Sequence, residues 1–83
     1  MPPISRKSYT EEEKQFLRNI GYKIQFFRKR RGLSQNELAE KADLSYTTIS
    51  HIESTSVYGL SIIAVYRIAK ALDVDPSQLL TFN

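Results

Sequence analysis

Two helix starts that lie only eleven residues apart restrict the fold of this chain more than any other feature of its sequence. Ser34, followed three residues later by Glu37, is a capping box, and Ser45 is a residue type that caps helices. Helices this short are not stable alone, so the two must pack together across a connection of about three residues. The small side chain of Ala39 allows them to cross closely. The apolar residues expected to fill the angle between them are Leu38, Leu44, Ile49 and Ile52.

Further helix signals precede and follow this pair. Thr10 and the three glutamates after it predict a first helix that ends near Gly32, Ser61 predicts the start of a fourth, and Asp75-Pro76 that of a short fifth containing Leu79 and Leu80. The expected core faces are Phe16, Leu17, Ile20, Ile24 and Phe27 on the first helix, and Ile62, Val65, Ile68, Ala69 and Leu72 on the fourth. The sequence therefore predicts an all-α fold of five helices. These helices are expected to form one domain over 10–83, which contains the helix pair at 34–53. Residues 1–9 are expected to form a flexible arm that precedes the domain.

The residues that the chain lacks exclude several classes of function. It has no cysteine and a single histidine, His51, so neither a disulfide framework nor a zinc site built on Cys and His is expected. No nucleophile–base pair or cluster of carboxylates indicates an enzyme, and no cofactor or small-molecule ligand is evident. No segment approaches the ~18 apolar residues of a membrane span, and the N-terminus is not a secretory signal. We expect a cytoplasmic protein.

Charge is distributed unevenly along the 83 residues. Residues 1–31 contain nine Lys or Arg against three Glu, whereas residues 32–83 contain three against six Asp or Glu. A basic segment in a chain of modest net charge, +3, is typical of proteins with a polyanionic partner.

The segment Gly32-Leu33-Ser34-Gln35-Asn36-Glu37-Leu38-Ala39-Glu40-Lys41-Ala42, followed by Ile49-Ser50-His51-Ile52-Glu53, resembles the lambda-repressor-like, or xenobiotic-response-element, family of helix-turn-helix proteins. The likeness extends over residues 20–80, through Ile20-Gly21, Arg28 and Ile68-Ala69-Lys70-Ala71-Leu72. It implies five helices, binding to double-stranded operator DNA and regulation of transcription, usually as a homodimer. Phage Cro-like proteins and restriction-modification controllers both fit this size. Asp43 stands where the family usually has glycine, and aspartate tolerates the left-handed backbone required there.

The resemblance also implies roles for single residues. Gln35 would contact a backbone phosphate at the start of the second helix, and Arg28 would pair with Glu53 as a structural ion pair. The third helix would lie in the major groove, and its helical angles agree, because Ile49 and Ile52 point inward. The residues expected to read bases are Tyr46, Thr47, Ser50 and His51, and further phosphate contacts are expected from Ser45, Ser54 and Thr55. With no Arg or Lys over 45–53, we expect half-sites that contain A·T pairs.

Two points stay open at the level of sequence. The uncharged third helix also suits a protein-interaction module, such as an antitoxin or a coactivator-like adaptor, built on the same fold. Apolar residues beyond the needs of one small core predict a homodimer, whose half-sites on a palindromic operator would lie about 34 Å apart. The expected interface residues are Ile63, Tyr66, Leu79, Leu80 and Phe82.

Overall fold

The computed structural model describes residues 8–54 and 59–82, and these residues form five α-helices and no strand. The helices are α1 (Glu11–Arg30), α2 (Gln35–Ala42), α3 (Tyr46–Glu53), α4 (Ile62–Leu72) and α5 (Pro76–Leu80). The all-α prediction is confirmed. None of the helices in the described part of the chain is both long and apolar enough to cross a membrane.

Each helix begins at the cap that the sequence predicts. The N-caps are Thr10, Ser34, Ser45, Ser61 and Asp75, and all five have extended backbone angles. At α2, the Ser34 hydroxyl accepts the Glu37 N–H at 3.0 Å, and the Glu37 carboxylate accepts the Ser34 N–H at 2.8 Å. These hydrogen bonds hold the pKa of Glu37 below its usual value, and the bond from the backbone N–H of Ser34 has the larger effect. The cap therefore contributes stability at neutral pH that is lost as the pH falls through the pKa of the folded state.

The connection between α2 and α3 depends on a left-handed residue. Asp43 has φ 55°, which lets the N–H of Leu44 reach back to the carbonyl of Ala39 at 2.9 Å. Asp73 ends α4 in the same way, with φ 58°. Aspartate tolerates this conformation better than most residues, so a glycine is not needed in either turn.

The core lies between the five helices: α2 packs on α3 and α4, α1 packs on α3, α4 and α5, and α4 packs on α5. Its fully buried large side chains come from all five helices and are Ile24, Leu38, Ile49, Ile68, Leu72 and Leu79. Ala39 is buried at the crossing of α2 and α3, as expected. Every helix contributes at least one of these residues, and the orientation of α3 is determined by its packing on α1 and α2.

Three expectations about burial are wrong. Phe16 was expected in the core, but it is 46% exposed on the outer side of α1. Ile62 was expected in the core, but it is the first residue of α4 and its side chain is 72% exposed. Leu79 was expected at a dimer interface, but none of its surface is exposed, because α5 packs on α4 and α1 with Leu79 between them. The adjacent Leu80 is the partly exposed leucine of α5.

Candidate nucleic-acid interface

Helix α3 presents polar side chains along the side that faces away from the core. Ile49, Ile52 and Glu53 are buried, whereas Thr47 and His51 are exposed on the opposite side. Ser50 is half-buried at the flank, and Tyr46 is exposed because it occupies the first turn. The four residues expected to read bases thus all retain solvent-accessible surface on one short helix.

Thr48 belongs to the same surface, although it is not among the four residues predicted to read bases. It is half-buried, and its hydroxyl shares a 2.8 Å hydrogen bond with the hydroxyl of Ser45. Helical periodicity alone indicates this position, because Thr48 and Ser50 lie on either side of the inward-facing Ile49, each about 100° from it around the helix. Thr48 differs from Ser50 in that its hydroxyl is held by the hydrogen bond to Ser45, the N-cap of α3.

A buried ion pair joins α3 to α1. Arg28 donates to Glu53 from Nε at 2.7 Å and from Nη2 at 2.9 Å, and a third donor, Nη1, reaches the carbonyl of Leu33 at 2.7 Å. The structure thus brings together the two residues expected to pair. The side chains of Arg28 and Glu53 are only 10% and 1% exposed. The pair therefore connects the end of α3, the end of α1 and the segment that enters α2.

Gln35 lies beside this pair. Its side-chain amide donates to Oε1 of Glu53 at 3.1 Å, an interaction that the sequence did not indicate. Gln35 is also the first residue of α2, and the N–H groups of Gln35 and Asn36 have no acceptor within the helix. An anion placed at this end of α2 would meet those N–H groups and an amide already oriented by Glu53.

The hydroxyls expected at phosphates also close the ends of α3. Ser45 Oγ accepts the N–H of Thr48 at 3.1 Å, and Ser54 Oγ donates to the carbonyl of His51 at 2.8 Å. Thr55 lies outside the described residues. Ser45 and Ser54 are therefore held at opposite ends of the helix that presents Thr47 and His51.

Positive charge near this surface comes from α1. The last turn of α1 contains Arg28, Lys29 and Arg30, and Gly32, at φ 69°, turns the chain directly into the cap of α2. Lys29 and Arg30 are exposed. The basic end of α1 therefore adjoins the N-terminus of α2, where Gln35 lies.

Two short helices that cross at a buried alanine, the second with a polar outer side, define a helix-turn-helix domain, the class of DNA-binding transcriptional regulators. The chain belongs to the helix-turn-helix family of the xenobiotic-response-element, or lambda-repressor-like, type, whose sequence model matches residues 24–79.

Solved structures agree with this assignment. The restriction-modification controller protein C.AhdI from Aeromonas hydrophila has a TM-score of 0.72 and 28% identity over 76% of this chain and 94% of its own. A hypothetical transcription factor, NHTF from Neisseria, has a TM-score of 0.76 and 27% identity over 98% of this chain and 87% of its own. The sequence matches no curated protein.

Proposed function

We propose that this protein regulates transcription in the cytoplasm as a homodimer that binds a palindromic operator, with α3 of each copy in the major groove. The observation that carries the proposal is the exposed polar side of α3, because its buried side is anchored by Ile49, Ile52 and the pair of Glu53 with Arg28. A helix anchored in this way presents its side chains to a groove without reordering. The similarity to the restriction-modification controller protein C.AhdI and to the hypothetical transcription factor NHTF supports this role.

In this arrangement, base and phosphate contacts come from different helices. Thr47, His51, Ser50 and Tyr46 would read base edges, and Gln35 at the N-terminus of α2 would bind a phosphate. Ser45 and Ser54, at the two ends of α3, are positioned to add phosphate contacts, and Thr55 is proposed for the same role. Because no base-reading residue is an arginine, discrimination depends on single hydrogen bonds and contacts with thymine methyl groups.

The proposed dimer surface lies on α4. Ile62, Ile63 and Tyr66 are all more than half exposed and lie within about 100° of the helix circumference. Tyr66 also lines a shallow groove with Pro76, which places the start of α5 beside this surface. Leu80, one turn after Pro76, extends it. Phe82 packs edge-on against Phe16 of α1 instead, with ring centroids 5.5 Å apart, so it adjoins a different face.

Thr47→Ala and His51→Ala are each expected to reduce discrimination between operator and scrambled DNA by about 1–2 kcal/mol, because each removes a single base contact. Both residues are exposed, so the melting temperature should stay nearly unchanged. Gln35→Ala should instead weaken binding to both duplexes alike. The measurement is titration of operator, selected from bound genomic fragments, and of a scrambled duplex at one fixed salt concentration.

Gln25→Ala, on α1 and outside the site, is the control and should bind like the parent. If Thr47→Ala and His51→Ala also bind the operator like the parent, α3 does not read bases. A salt series supplies an independent check, since affinity that depends on several phosphates must fall steeply with salt, whereas binding to a protein partner need not.

The double variant Ile63→Glu/Tyr66→Glu is expected to be unable to pair through α4 and to bind a two-half-site operator about 100-fold more weakly, because the second half-site no longer adds to the first. Sedimentation velocity and operator titration measure the two effects. Ile63→Val/Tyr66→Phe retains the apolar surface and should behave like the parent. Unchanged operator affinity for the glutamate variant would place the dimer interface elsewhere.

A further inference from the structure

We propose that the outer face of α1 is a second self-association surface, which pairs antiparallel with the same face of another copy of this chain. The inference is independent of DNA binding and of the α4 surface. It is based on one line of side chains along α1, the α1 stripe, whose spacing alternates between four and three residues. The stripe consists of Glu12, Phe16, Asn19, Lys23, Phe26 and Arg30.

Alternating steps of four and three keep the stripe on one side of the helix. With successive residues about 100° apart, its six members fall within an arc of about 80°. This is the repeat by which one helix packs along another. The 20-residue helix presents the stripe over nearly its whole length.

The stripe has one aromatic residue on each side of its polar middle, and both aromatic residues are open to solvent. Phe16, expected in the core from its sequence position, is 46% exposed, and Phe26 is 51% exposed. The guanidinium of Arg30 lies 5.6 Å from the centroid of the Phe26 ring, and Phe82 packs against Phe16. Exposed aromatic side chains flanked by charge are typical of protein interfaces.

The order of residues in the stripe is complementary to itself. If two copies of α1 run antiparallel about a twofold axis level with Gly21, Glu12 faces Arg30 of the second copy, Phe16 faces Phe26, and Asn19 faces Lys23. Each end of the interface then joins an acidic residue to a basic one, and each aromatic residue meets another. Because the pair is symmetric, every one of these contacts occurs twice. A uniformly acidic partner would be attracted by Arg30 and repelled by Glu12, so the two signs of charge favour a second copy.

The centre of the stripe leaves room for this approach. Asn19 and Lys23, with Tyr22 and Phe82, line a shallow hollow of about 310 Å³ at the level of the expected twofold axis. The hollow therefore gives the polar middle of each stripe space to approach its counterpart. Because α1 and α4 are different elements, a chain that uses both surfaces would form assemblies larger than a dimer.

Charge reversal in the full-length chain tests the proposal. Sedimentation equilibrium is measured on the Ile63→Glu/Tyr66→Glu chain, so that α4 pairing cannot contribute. That chain should still dimerise. Adding Glu12→Arg or Arg30→Glu should each weaken the dimer roughly tenfold or more, since one substitution alters two contacts in a symmetric pair. Adding both together should restore the parent's dimerisation, because each contact regains opposite charges.

Arg18→Glu is the matched control. It makes the same charge change as Arg30→Glu on the same helix outside the stripe, and it should leave dimerisation unchanged. Circular dichroism checks that every variant retains the parent's helix content. A background chain that is monomeric at all soluble concentrations overturns the proposal. So does a double reversal that dimerises no better than the single ones, because a loss without rescue would not come from the facing pairs.

Discussion

Arg28→Ala is expected to lower the free energy of unfolding by about 3–5 kcal/mol, the range for removing one partner of a buried ion pair. The upper part of the range applies because the pair is nearly excluded from solvent and doubly hydrogen-bonded. Without Arg28, the Glu53 carboxylate keeps only the amide of Gln35. Glu53→Ala should cost a similar amount, because Arg28 then keeps only the carbonyl of Leu33. Denaturant unfolding of each variant measures the change.

The exposed pair of Arg31 and Asp73 is the matched control. These side chains approach to 3.3 Å but are 47% and 87% exposed. Arg31→Ala should therefore change stability by less than about 1 kcal/mol. The double variant Arg28→Met/Glu53→Leu, which leaves no charge unpaired, should be far more stable than either single alanine variant. Equal losses from Arg28→Ala and Arg31→Ala would show that burial does not govern the strength of the pair.

Gly21→Ala is expected to destabilise the protein by about 3 kcal/mol, although alanine normally stabilises a helix interior relative to glycine. Gly21 is buried in α1 against the end of α3, and an added Cβ would lie well inside van der Waals contact with the carbonyl oxygen of Ile52. Backbone cannot rotate away as a side chain can, so α1 and α3 must separate. Melting curves should show the loss of stability. Operator titration should show weaker binding, because displacing the carbonyl of Ile52 displaces α3, the helix to which it belongs.

Gly32→Ala is the control that separates the steric clash at Gly21 from backbone strain. Gly32 has φ 69°, and a Cβ there meets no atom within 4 Å. Its cost should be limited to the left-handed conformation, about 1–2 kcal/mol, and operator specificity should be unaffected. If Gly21→Ala is as stable as the parent, the close approach of α1 and α3 is not a constraint on the fold.

The sequence alone determined where each helix begins. Thr10, Ser34, Ser45, Ser61 and Asp75 were all identified as caps, and each accepts a hydrogen bond from an N–H two or three residues ahead. Such a bond depends only on neighbouring residues, so the local pattern contains all the information that it needs. The inward direction of Ile49 and Ile52 follows from helical periodicity for the same reason.

For several apolar residues, tertiary structure alone decided whether they are covered. Leu79 and Leu80 are adjacent and chemically identical, yet Leu79 is fully buried and Leu80 is partly exposed. The bond from Gln35 to Glu53 and the contact of Gly21 with Ile52 likewise join residues that are distant in the chain. Periodicity shows that a helix has an apolar side, but burial depends on where the other helices lie, and that is set by packing of the whole domain.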